Sequence, residues 1–68
     1  SGQYEKAVQR FETVLLIEPD MEAAIFYAAQ SQLELGQPGE AKKYFERFLE
    51  VSQDEELKDE VRELIQKF

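Results

Sequence analysis

The sequence predicts an all-α fold: four helices arranged as antiparallel helix-turn-helix repeats, a short piece of α-solenoid. Three observations predict it. Apolar residues recur at offsets of three and four in four successive stretches, turn and capping residues separate those stretches, and one segment returns almost unchanged thirty-four residues later. No stretch shows the apolar/polar alternation of a half-buried strand.

The first stretch places Tyr4, Ala7, Val8, Phe11, Val14 and Leu15 on one face of a helix over about residues 3–17, which Pro19 brings to an end. Asp20 is then suited to cap a second helix, with the Glu22 carboxylate in its first turn where the helix dipole favours negative charge. This helix runs to about Leu35, and Gly36 supplies the left-handed stop. Pro38 fits the first turn of a third helix, because the N–H it lacks would be unpaired there, and Ala41, Tyr44, Phe45, Phe48 and Leu49 form its buried face. The third helix fades near Val51. Asp54 caps a fourth, in which Leu57, Val61, Leu64, Ile65 and Phe68 make a single apolar stripe among charges.

The composition narrows the classes of function. A chain of 68 residues forms one domain at most and buries only about 60% of the surface its unfolded form exposes. Without cysteine it has neither a disulfide nor a thiolate metal site, and without histidine it lacks the commonest metal ligand and general base. Fifteen acidic against eight basic residues give a net charge of −7, which repels nucleic-acid phosphates and anionic lipid. The longest apolar run, from Ala23 to Ala29, is far short of the ~20 residues that cross a bilayer, and no signal-peptide pattern is present, so the chain is expected to be soluble.

Residues 2–19 laid on 36–53 give six identities: Gly2 and Gly36, Gln3 and Gln37, Ala7 and Ala41, Phe11 and Phe45, Glu12 and Glu46, Leu15 and Leu49. At ordinary residue frequencies about one would match by chance. A repeat of this length marks units that bury their apolar faces against one another.

The period and spacing resemble the tetratricopeptide repeat, whose pattern runs W-x2-L-G-x2-Y, then A-x3-F, then P. Ala7-x3-Phe11 with Pro19 matches the second half of that pattern, and Ala41-x3-Phe45 repeats it with Gln53 in the place of proline. The first half is looser: Ile25, Ala28, Ala29 and Gln32 stand at the Trp, Leu, Gly and Tyr positions. The resemblance implies a right-handed stack in which residues 1–19 hold the second helix of one repeat, 20–53 form a whole repeat, and 54–68 are a terminal capping helix. It further implies a C-terminal piece of a longer array, with Tyr4, Val8, Phe11 and Leu15 left partly uncovered where an upstream helix would lie.

By the same resemblance, the first helix of each repeat lines a concave groove that holds a peptide or partner segment. Here that helix is the second of the chain, and Ala23, Phe26, Tyr27, Gln30 and Glu34 are the expected partner-binding residues. Phe26 and Tyr27 could instead pack against a preceding helix or the capping helix, since so wide an apolar stripe must partly serve stacking. Chaperone-binding members grip a C-terminal carboxylate with Lys, Asn and Arg. Ala23, Phe26, Gln30 and Glu34 offer no cation for that clamp, and Lys58 and Arg62 read as solvated on their charged helix.

The run from Gln53 to Glu63, with carboxylates at Asp54, Glu55, Glu56, Asp59, Glu60 and Glu63, lacks the alternating donors and central glycine of a calcium loop and reads as a solvated face. No nucleophile sits beside a base and no glycine-rich phosphate loop occurs, so neither catalysis nor a metal or cofactor is expected. The expected function is a protein–protein interaction scaffold for a protein or peptide of basic character, and the alternative is a self-association module, a homo-oligomer formed through the uncovered first helix and the apolar stripe.

Overall fold

The computed structural model describes residues 2–68, folded as α1 (Gln3–Ile17), α2 (Glu22–Glu34), α3 (Pro38–Val51) and α4 (Glu55–Gln66). Among the described residues there is no strand. The backbones approach closely only between sequence neighbours: α1 on α2, α2 on α3, and α3 on α4. The result is a slab of 32 × 28 × 15 Å, little thicker than one helix of ~10–12 Å, so the core is a seam along the stack.

Each connection has a local cause. Glu18, preceding Pro19, is forced out of helical backbone (φ −128°, ψ 84°), as a residue before proline usually is. The next helix starts one residue later than expected. Its N-cap is Met21, in extended backbone and with no side-chain cap bond, while Asp20 stays in the exposed turn. The Met21 N–H donates to the Glu18 carbonyl at 3.2 Å, closing a turn that carries Asp20 past the capping position.

Gly36 behaves as expected. At φ 74° it takes the left-handed stop, its N–H donates to the Leu33 carbonyl, and the Gln37 N–H donates to the Gln32 carbonyl, the paired bonds of a Schellman motif. Pro38 opens α3. At the last junction the Asp54 carboxylate Oδ1 accepts from the Leu57 N–H at 3.1 Å, and the buried Ser52 Oγ accepts from the Asp54 N–H at 3.1 Å.

The seam holds Leu15, Ala24, Ile25, Ala29, Ala41, Phe45, Phe48 and Val61. Ile25, Ala28, Ala29 and Gln32 are all buried, as the expected packing stripe requires, and the alanines allow α2 to lie close to its neighbours. That closeness corrects one expectation. Val8 and Leu15 are each only 7% exposed, on a helix whose backbone lies close to α2. Phe11 is half-buried; the apolar side chains of α1 that do face water are Tyr4, Leu16 and Ile17. Phe68 lies beyond the end of α4 and is partly exposed, yet its ring reaches Phe45 at 6.1 Å between centroids.

Matched repeat positions differ in burial for the same reason. Phe45 and Ala41 on α3, which has a neighbour on both sides, are fully buried, whereas Phe11 and Ala7 on α1 are only partly so.

Candidate functional site

Two consecutive residues of α2 divide between its neighbours. Phe26, half-buried, meets Phe45 and Phe48 of α3 at 6.0 and 5.6 Å between ring centroids, while Tyr27 stacks on Phe11 of α1 at 5.9 Å with the planes 27° apart. Their packing therefore uses α1 and α3, which leaves half of Tyr27 (51%) in solvent. Ala23, Gln30 and Glu34 are exposed on the same side of the helix.

Two depressions flank this stripe, and Tyr27 belongs to both. The first, of about 450 Å³, lies between α1 and α2 and reaches α4; Tyr4, Phe11, Tyr27, Gln30, Glu34 and Leu64 contribute to its wall. Among the described residues, Glu34 is the single charged side chain lining it. The second, of about 240 Å³, lies between the starts of α2 and α4 and is lined by Glu22, Ala23, Phe26, Phe48, Asp54 and Leu57. Of the five expected partner-binding residues, Gln30 and Glu34 line the first depression, Ala23 and Phe26 the second, and Tyr27 both. Sequence reasoning missed the contributions of Tyr4 and Phe11 from α1 and of Leu57 and Leu64 from α4. Their apolar character is visible in the sequence, which assigns Leu57 and Leu64 to packing and Tyr4 and Phe11 to an uncovered face of the first helix.

Among the described residues the groove contains no lining cation, and the three ion pairs lie elsewhere: Lys43 with Glu40, Lys58 with Glu55 and Arg62 with Asp59. Lys58 departs from the expectation of a solvated side chain. Its chain lies against the protein and is only 16% exposed, in the manner of a long basic residue that covers apolar surface with its methylenes. The carboxylates of Asp54, Glu55, Glu56, Asp59, Glu60 and Glu63 all stand exposed on α4 and its cap.

On the other side of the molecule, a depression of about 260 Å³ between α1 and α3 is lined by Glu12, Leu15, Leu16, Tyr44 and Arg47. Arg47 Nη2 donates to the Pro19 carbonyl at 2.6 Å and ties α3 to the α1–α2 turn. Burial raises the Tyr44 hydroxyl pKa above its ordinary 10.0; Glu12 and Glu40 push it the same way, and Arg47 opposes them. Leu16 and Ile17 beside this depression are 85% and 78% exposed.

No helix among the described residues is long and apolar enough to cross a membrane. No curated protein and no solved structure gives a significant match to the chain. A family model described as tetratricopeptide repeat matches residues 1–65, which takes in all four helices but the last residue of α4. Proteins of this family are non-enzymatic scaffold repeats that bind proteins or peptides. With its four helices, its thirty-four-residue period and that match over nearly its whole length, the chain belongs to the tetratricopeptide repeat family.

Proposed function

We propose that the chain is a peptide-binding interaction module whose α2 groove accepts a partner segment of basic and apolar character on Ala23, Phe26, Tyr27, Gln30 and Glu34. In this reading residues 20–53 are one whole repeat, residues 1–19 supply the second helix of the preceding unit, and residues 54–68 cap the stack. The observation that carries the proposal is the half-exposed ring of Tyr27, which joins two aromatic-lined depressions whose charged residues are all acidic. A segment bringing apolar side chains and positive charge complements such a surface in shape and in sign.

The test is selection from a random-peptide display library against the immobilised protein. The counter-target is the double variant Gln30→Lys, Glu34→Lys. Both residues are exposed, so the variant should keep its helical circular dichroism, surface changes being worth less than ~0.5 kcal/mol in most cases. The expected binders are rich in Lys or Arg beside apolar residues and lose affinity for the variant. Binders that recognise both proteins alike would place the binding surface elsewhere.

One observation favours a second reading, self-association. Leu16 and Ile17, adjacent and largely in water, adjoin the depression containing Leu15 and Tyr44. A second copy could seat these side chains there, each burying roughly 1.5 to 3 kcal/mol of apolar surface. Sedimentation across a concentration series tests it: a dimer that Leu16→Lys converts to monomer supports it, and a monomer throughout removes it.

A further inference from the structure

The charges along the groove are not equivalent. Glu22 stands in the first turn of α2 and Asp54 caps α4, so both carboxylates face the positive ends of helices, and one oxygen of Asp54 already accepts the Leu57 N–H. The partial positive charge at those helix starts offsets part of their attraction for an incoming cation. Glu34 is the reverse case. It is the last residue of α2, at the negative end of the helix; no basic residue lies in that last turn, and among the described residues it has no ion-pair partner.

Around Glu34 the wall of the larger depression includes the rings of Tyr4, Phe11 and Tyr27, and an aromatic face attracts a cation as a carboxylate does. The smaller depression, at the opposite end of the helix, is lined by Ala23, Phe26, Phe48 and Leu57 beside Glu22 and Asp54, and its apolar residues suit an uncharged side chain. From Phe26 and Ala23 to Glu34 is eight to eleven residues of helix, roughly 12 to 16 Å at ~1.5 Å per residue. An extended chain covers this in about four or five residues at ~3.3 Å each. Side chains four apart in an extended chain point to the same face, whereas those three or five apart point to opposite faces.

We propose that the groove is polar along its length and selects an extended peptide carrying a cationic side chain, seated beside Glu34 at the end of α2, and an apolar side chain four positions away, seated over Phe26. This rests on the α2 groove being the binding surface and adds which end takes the charge and at what spacing.

The test uses synthetic peptides with a Gly-Ser background, titrated into the isotopically labelled protein while backbone amide shifts are followed. One peptide carries Arg and Phe four positions apart, a second carries them three apart, and a third has Gln in place of Arg at the four-residue spacing. The first should bind best, moving amides at Gln30 and Glu34 as well as Ala23 and Phe26. Loss of the Arg charge, or Glu34→Gln in the protein, should weaken it about three- to fivefold, as expected for an exposed ion pair worth up to ~1 kcal/mol. Glu34→Gln should leave the Gln peptide unaffected, and Glu34→Lys should favour a matching peptide with Glu in place of Arg. If all peptides move the groove amides with equal affinity, the polarity is wrong and the groove reading stands. If none moves them at millimolar concentration, both are wrong.

Discussion

The ring of Phe26 meets that of Phe45 nearly edge-on, with centroids 6.0 Å apart and planes at 69°. Phe45 has no exposed surface and also contacts Phe68, so the floor of the groove and the centre of the seam are one continuous aromatic cluster. Phe45→Ala should cost about 3 to 5 kcal/mol, the usual range for emptying a buried phenylalanine site. A domain of this size has little more than that to lose. Thermal and urea unfolding check it, and a midpoint within a few degrees of the parent would overturn the assignment of Phe45 to the centre.

Gln32 carries a different kind of strain. It is 8% exposed, and its carbonyl oxygen Oε1 is buried without a hydrogen-bond partner among the described residues. An unpaired buried polar group costs about 1 to 3 kcal/mol, so Gln32→Leu, close in volume and free of that penalty, should stabilise the fold by roughly 1 kcal/mol. Urea denaturation reads this directly. A destabilised variant would show that Oε1 is satisfied in solution by an ordered water.

The start of α4 depends on two side chains, Asp54 and Ser52. Asp54→Ala should lose about 1 kcal/mol, whereas Asp54→Asn keeps an accepting oxygen and should lose much less. Because α4 packs its backbone closely against α3 alone, the loss should be local. Amide hydrogen exchange should quicken at Leu57 and Lys58 more than in α2. Uniform quickening across the chain would contradict that.

Tyr44 sets an alkaline limit. Its folded pKa lies above the 10.0 of an unfolded chain, first through burial and then through Glu12 and Glu40, so above that pH the unfolded state gives up its proton before the folded state does. Its contribution is fully present below pH 10 and is lost as the pH rises from there through the folded pKa. Tyr44→Phe should therefore flatten the fall of stability on the alkaline side. A tyrosinate absorbance titration of the variant should lose a component that ionises above pH 10. Loss of a component centred at the ordinary tyrosine pKa instead would mean that Tyr44 ionises like a tyrosine in water.

Most of the fold could be read from side-chain spacing, because each helix has a strong periodic face and each junction a residue whose backbone chemistry admits few choices. Gly36, Pro38 and Asp54 all act where the sequence places them. Asp20 does not, since a capping side chain and the turn after a proline make competing demands and the turn prevails. The candidate groove was half legible. The α2 stripe follows from helix periodicity, but periodicity within one helix cannot show that Tyr4, Phe11 and Leu64 from two other helices share its wall. Nor can it show that Val8 and Leu15 are covered, which depends on how closely the alanines of α2 let α1 approach.

The packing of each helix only against its neighbours in sequence has a consequence for how the molecule comes apart. Connected like links in series, the four helices can open from either end without first disrupting the middle, and stability should decline from α2 and α3 outward. The larger depression interrupts that series, since its wall draws on α1, α2, α3 and α4 together. An occupant seated there would join helices whose backbones do not otherwise meet, so that the ends could no longer loosen independently. Occupancy would then be read as cooperativity: a chain that unzips when empty would unfold as a single unit when filled.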